Sequence, residues 1–117
     1  MGNVIFNVSG CSEGNCVMRT NSANANNNGN ATVDVNDTVT WNRTGNSVSS
    51  FSITVNQGSD QDIWGDTPPA PFPNSDSPNW QGTGKNYGDG GENYTISCTC
   101  GSSNQSHDPR ISVNPNK

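Results

Sequence analysis

The sequence predicts an all-β fold on three observations. Apolar residues recur at every second position in several short runs, those runs are filled by β-branched and aromatic residues, and no stretch carries helical periodicity. With 117 residues the chain is the size of a single domain, expected to span 1–117. Only 27% of its residues are hydrophobic and 13% charged. The core must therefore be thin and in need of reinforcement. Low hydrophobicity without high net charge does not meet the condition for disorder. A polar, Asn/Ser/Thr/Gly-rich chain with alternating apolar positions is expected to be an antiparallel sandwich or barrel with long loops.

The elements follow in order. Val4-Ile5-Phe6-Asn7-Val8 is a first β-prone run, ended by Ser9-Gly10. Cys11 to Cys16 reads as a turn by composition, and Val17-Met18-Arg19 as a second short strand. Residues 20–30 form an Asn-rich loop with the deamidation-prone pair Asn28-Gly29, expected to be solvated and mobile rather than a polar surface for recognition. Ala31 to Val35 alternates, Asn36-Asp37 supplies a turn, and Thr38-Val39-Thr40-Trp41 resumes the strand with Trp41 directed into the core. In the run from Val48 to Val55, Phe51, Ile53 and Val55 share one face, with Ser50, Ser52 and Thr54 on the other. Residues 56–91 form a long Pro/Gly-rich excursion carrying Pro68, Pro69, Pro71, Pro73 and Pro78, which excludes a continuous central strand and leaves at most a short strand or helical turn. Glu92 to Cys98 alternates again, and Arg110-Ile111-Ser112-Val113 closes the chain.

Charge narrows the partners. A net charge of −5 with five scattered basic residues argues against nucleic acid, whose phosphates require clustered Lys and Arg. No apolar run approaches a membrane span. The start, Met1 to Phe6, lacks the basic and apolar regions of a signal peptide, so the chain is expected to be the mature part of an exported protein.

Two segments resemble the cupredoxin family. Val33-Asp34-Val35-Asn36-Asp37-Thr38-Val39-Thr40-Trp41-Asn42 is similar to that family's strand, tight turn and Trp-ended strand. Gly91-Glu92-Asn93-Tyr94-Thr95-Ile96-Ser97-Cys98 is similar to its approach to the copper cysteine, followed by a loop and a last Ile-Ser-Val strand. The resemblance implies a Greek-key β-sandwich. It also implies a copper site that this chain lacks: blue copper takes two imidazoles, a thiolate and a weak axial ligand. The loop expected to carry the first imidazole reads Gly45-Asn46-Ser47-Val48-Ser49-Ser50, and the single histidine, His107, stands in the loop after Cys98 and Cys100. Gln105 would be the axial candidate there, but one imidazole cannot complete the set. An ordinary blue-copper site is excluded.

The four cysteines, Cys11, Cys16, Cys98 and Cys100, are the constellation able to carry chemistry. In a cupredoxin-like fold their two loops would share one end of the sandwich. As disulfides they allow three connectivities. A Cys98–Cys100 bond is disfavoured, because alternate residues of an extended strand lie ~6.5–7 Å apart, the outer limit for a bridge. Crossed pairs fit better, each closing a loop of about 80–90 residues and contributing about 4–5 kcal/mol. The alternatives are a thiolate site for copper or zinc with His107 as a further ligand, and free thiols.

Other groupings are weaker. Cys100, His107 and Asp108 can be written as a nucleophile, base and acid, but no motif supplies an oxyanion hole, and Asp108-Pro109 reads as a turn. Asp60, Asp62, Asp66, Asp76 and Asp89 offer hard oxygen donors without the spacing of a calcium loop, and read as turn residues. Trp64, Trp80 and Tyr87 stand in the excursion, either as a face for a sugar or peptide or as cover for the core. Asn7, Asn30, Asn36, Asn42, Asn93 and Asn104 fit the glycosylation acceptor pattern, as an Asn/Thr-rich chain does by chance. The expected function is a non-catalytic binding or structural module, extracellular, periplasmic or on the cell surface. It would take no cofactor and meet a protein or carbohydrate partner. The alternative is a copper- or zinc-binding or electron-transfer domain.

Overall fold

The computed structural model describes residues 3–44, 48–55, 63–65, 69–71, 79–86 and 88–114, with backbone alone at 88–91. The described chain is all-β. Its strands are β1 (Val4–Ser12), β2 (Asn15–Arg19), β3 (Ala31–Val33), β4 (Thr38–Arg43), β5 (Ser50–Val55), β6 (Ala70–Pro71), β7 (Trp80–Thr83), β8 (Gly88–Cys100), β9 (Ser103–His107) and β10 (Arg110–Val113). They form two mixed sheets, ordered β2-β1-β4-β7-β6 and β3-β10-β8-β5, with β9 also paired to β8. The radius of gyration, 13.4 Å, is about that of a compact chain of this length.

Antiparallel pairing was the expectation, and it fails at two places. β1 runs parallel to β4, with Phe6 beside Trp41, and β3 runs parallel to β10, with Val33 beside Val113. Periodicity reports which face a residue takes and is silent on strand direction, so this could not be read from alternation.

The inner faces follow the alternation closely. Val4, Phe6 and Val8 of β1 and Trp41 of β4 are buried, as are Phe51 and Ile53 of β5, Tyr94 and Ile96 of β8, and Ile111 and Val113 of β10. Trp41 is the hub. Its ring stacks on Phe6 with centroids 6.1 Å apart and meets Tyr94 edge-on at 5.1 Å. Such pairs add to area burial, which matters in so polar a chain.

The turn between β3 and β4 is built by polar side chains. Asp37 N–H donates to Asp34 O at 3.0 Å, Asp34 N–H donates to Asp37 Oδ2 at 3.0 Å, and Asn36 takes φ 77°. Asparagine tolerates this left-handed position better than most residues.

Four stretches differ from the sequence reading. Residues 56–91, expected to hold at most one short strand or helical turn, contain β6, β7 and the first residues of β8. β1 runs on through Cys11 to Ser12 and β2 begins at Asn15, so the supposed Cys11–Cys16 turn is a hairpin with only Glu13-Gly14 at its tip. Residues 103–107, expected as loop, are β9, folded back on β8 through Gly101 at φ 61°. Its residues Ser-Asn-Gln-Ser-His have little strand propensity, and pairing with β8 overrides it. The Asn-rich loop is tied down. Ala25 bridges Ala31, Asn26 N–H donates to Asn30 O at 2.9 Å, and Gly29 is buried.

Candidate functional site at the cysteine end

A β-bulge decides where Cys11 points. Along β1, Val8 pairs with Met18 and Cys11 with Cys16, so three steps on β1 match two on β2, with the register shift between Val8 and Gly10. Without the extra residue Cys11 would share the outer face with Ile5 and Asn7; with it, Cys11 joins Val4, Phe6 and Val8 inside. On β8, Tyr94, Ile96, Cys98 and Cys100 share the inward face by simple alternation. Two sulfurs from the hairpin thus meet two from β8 across the sandwich.

They form two disulfides, Cys11–Cys100 and Cys16–Cys98, with Cα separations of 6.2 Å and 6.0 Å. Cys16 and Cys98 are buried, while Cys11 and Cys100 are half-buried at the rim. The two bonds touch: Cys11 Sγ lies 3.4 Å from Cys98 Sγ. Two such bonds fit an oxidising, extracellular-type environment.

His107 lies beside this pair with its ring fully engaged. The Cys16 N–H donates to Nδ1 at 3.2 Å, so the ring proton sits on Nε2, which donates to the Asn28 carbonyl at 2.8 Å. The next β9 residue on that face does similar work, Gln105 Oε1 accepting from Gly14 N–H at 2.8 Å while its Nε2 donates to Ser103 Oγ. Further along, Asn27 Oδ1 accepts from Thr20 N–H at 3.0 Å. Side-chain acceptors therefore meet the outer edge at Cys16 and just beyond each end of β2, which blunts a strand edge open to pairing. Beside it lies a shallow cleft of about 300 Å³ lined by Asn15, Arg19, Asn27, Asn28 and His107.

Other predicted residues fall as follows. Cys100 is in a disulfide and Asp108 Oδ1 accepts from Thr95 Oγ1 at 2.6 Å, so Cys100, His107 and Asp108 do not form a hydrogen-bonded triad. Trp64 is 1% exposed and packs against Gly82, offering no open ring face. Trp80 is half-buried, its Nε1 donating to Phe51 O at 3.2 Å. Tyr87, Asp60, Asp62, Asp66 and Asp76 lie outside the described residues, as does the side chain of Asp89. In the loop after β4, Ser49 bonds the carbonyl of Thr99, between Cys98 and Cys100, through both its N–H (2.8 Å) and its hydroxyl (3.0 Å). Among the described residues no group of three or more His, Cys, Asp or Glu is placed to hold a metal.

The structure adds a hydrogen-bonding role and a surface feature to the sequence reading. Tyr94 is buried in the core and its hydroxyl hydrogen-bonded; burial pushes its ionisation well above the usual tyrosine range. A polar groove of about 500 Å³ runs beside β3 and β10, lined by Asn24, Asn26, Asn30, Thr32, Arg110 and Ser112. Its amide, hydroxyl and guanidinium groups are scattered over residues 24–112 and carry no motif; only its Asn-rich side was weighed from the sequence as a polar surface. No protein-family model and no curated protein matches this chain.

Proposed function

We propose that this chain is a non-catalytic, exported binding or structural module of cupredoxin-like type, in which disulfides stand where active relatives hold copper. The observation that carries the reading is the contact of two inter-sheet disulfides at one end of the sandwich. The sulfurs there are consumed in covalent bonds, and the neighbouring imidazole serves backbone groups through both nitrogens. Ser49 contributes a hydroxyl where the resemblance would put an imidazole. Ile5 is the one large hydrophobic side chain exposed among the described residues, so a partner would be met chiefly through polar groups. The groove bounded by Asn24, Asn30 and Arg110 suits hydrogen bonding to a carbohydrate or to a polar protein segment.

The test is titration of the oxidised protein with Cu(I), Cu(II) and Zn²⁺, followed by calorimetry and absorption. The expected result is no stoichiometric complex tighter than micromolar. A tight one-to-one complex of the oxidised protein would replace this reading with a metal-binding or electron-transfer one.

A further inference from the structure

We propose that the four cysteines form an internal exchange site, in which thiol attack on the outer disulfide is passed to the inner one. The order of sulfurs in space is Cys100, Cys11, Cys98, Cys16, with bonds between the first two and the last two. The middle pair is in contact at 3.4 Å. Cys100 stands at the β8–β9 turn, next to the exposed residues Gly101 and Ser102, and is the point of entry for a low-molecular-weight thiol.

The chemistry balances without any other oxidant or reductant. A thiolate attacks Cys100 Sγ, a mixed disulfide forms there, and the Cys11–Cys100 bond breaks with its electron pair on Cys11. Cys11 Sγ then attacks Cys98 Sγ. A Cys11–Cys98 bond forms, the Cys16–Cys98 bond breaks, and Cys16 leaves as a thiolate that takes a proton from water. A second thiol resolves the mixed disulfide at Cys100, so two thiols become one disulfide and the protein gains two thiols, at Cys16 and Cys100. The surroundings suit that product. Cys16 Sγ lies 3.5 Å from the Gln105 carbonyl and 3.7 Å from that of Ile96, so a new S–H has acceptors waiting. A Cys98–Cys100 bond is a poorer product, since the two are alternate residues of one strand.

Two measurements test this. In Cys100→Ser, one thiol per chain is left, and alkylation under acid quench followed by peptide mapping locates it. The label is expected on both Cys11 and Cys16, with the Cys11–Cys98 cross-link present in the molecules labelled at Cys16. Label on Cys11 alone, with Cys16–Cys98 intact, overturns the proposal.

Should that variant fail to fold, the unaltered protein serves. A single equivalent of phosphine is added in acid, where exchange is suppressed, and the sample is then moved to mildly alkaline pH before quenching. The expected result is label on Cys11 and Cys100 at first, with the Cys11 label falling and the Cys16 label rising by the same amount on incubation. Labels that stay on Cys11 and Cys100, or that begin on Cys16 and Cys98, overturn it.

Discussion

The Tyr94 hydroxyl donates a hydrogen bond to the Gly29 carbonyl at 2.6 Å, fastening the middle of β8 to the Asn-rich loop. The same oxygen accepts from Trp41 Nε1 at 3.2 Å, so one buried group joins the core hub to a loop 65 residues away in sequence. Replacing it by hydrogen leaves both partners buried without it. Tyr94→Phe is expected to lose about 2–3 kcal/mol of stability, read from denaturant midpoints at constant m-value.

The same residue sets a pH dependence. Burial raises the Tyr94 pKa in the folded state, while the unfolded chain ionises near the ordinary value of about 10. Above that value the unfolded state binds fewer protons than the folded one, so stability falls as pH rises and is fully present below it. Denaturation midpoints between neutrality and strongly alkaline pH are expected to drop less steeply in Tyr94→Phe than in the parent protein. Equal slopes would mean that Tyr94 does not contribute.

Gly29 is the second half of that contact. Its φ is 96°, and an added Cβ would lie 2.6 Å from Met18 Cε, 2.6 Å from Tyr94 Oη and 2.8 Å from Pro109 Cγ. Gly29→Ala combines backbone strain with overpacking and is expected to cost about 3 kcal/mol, more than Ala at the open, positive-φ Gly14. Thermal unfolding of the two variants side by side makes the comparison.

The disulfides are nested, which makes them unequal to the sum of their parts. Separations of 89 and 82 residues give either bond alone about 4.5 kcal/mol by loop closure. Once one is formed, the other closes only a ring of a few residues, worth about 2–3 kcal/mol. Replacing either pair by alanine is expected to cost about that smaller amount, and replacing both about 7 kcal/mol. A double-mutant cycle on the two pairs measures the gap.

His107→Ala is expected to cost about 1 kcal/mol, since its contacts are half-exposed, and to speed hydrogen exchange at the Cys16 amide. Gln105→Ala should do the same at Gly14 and leave Cys16 protected. Unchanged exchange at both amides would remove the edge-covering role.

Much of the inner face was legible in the sequence, because burial follows alternation wherever a strand is regular. Trp41, Ile53, Tyr94, Ile96 and Ile111 are inside as their spacing requires. What alternation cannot carry is a change of phase. The bulge in β1 is one uncharged residue in a Ser-Gly pair, and nothing in its composition separates it from a strand end. β9 was hidden for a different reason: its pairing to β8 is long-range information, stored in the turn at Gly101 and in the backbone of β8. The cysteine partners were narrowed to crossed pairs by distance along a strand, but the choice between the two crossed pairings depended on the hairpin register, which no local pattern encodes.

That register has a consequence in time. A ribosome delivers Cys11 and Cys16 as neighbours on a short hairpin, while Cys98 and Cys100 are still more than eighty residues from being made. The correct bonds therefore wait until β8 has been made. Until then, two thiols face each other across β1 and β2 with only one another to oxidise, so the order in which the chain emerges favours a wrong bond that the completed sheet must undo.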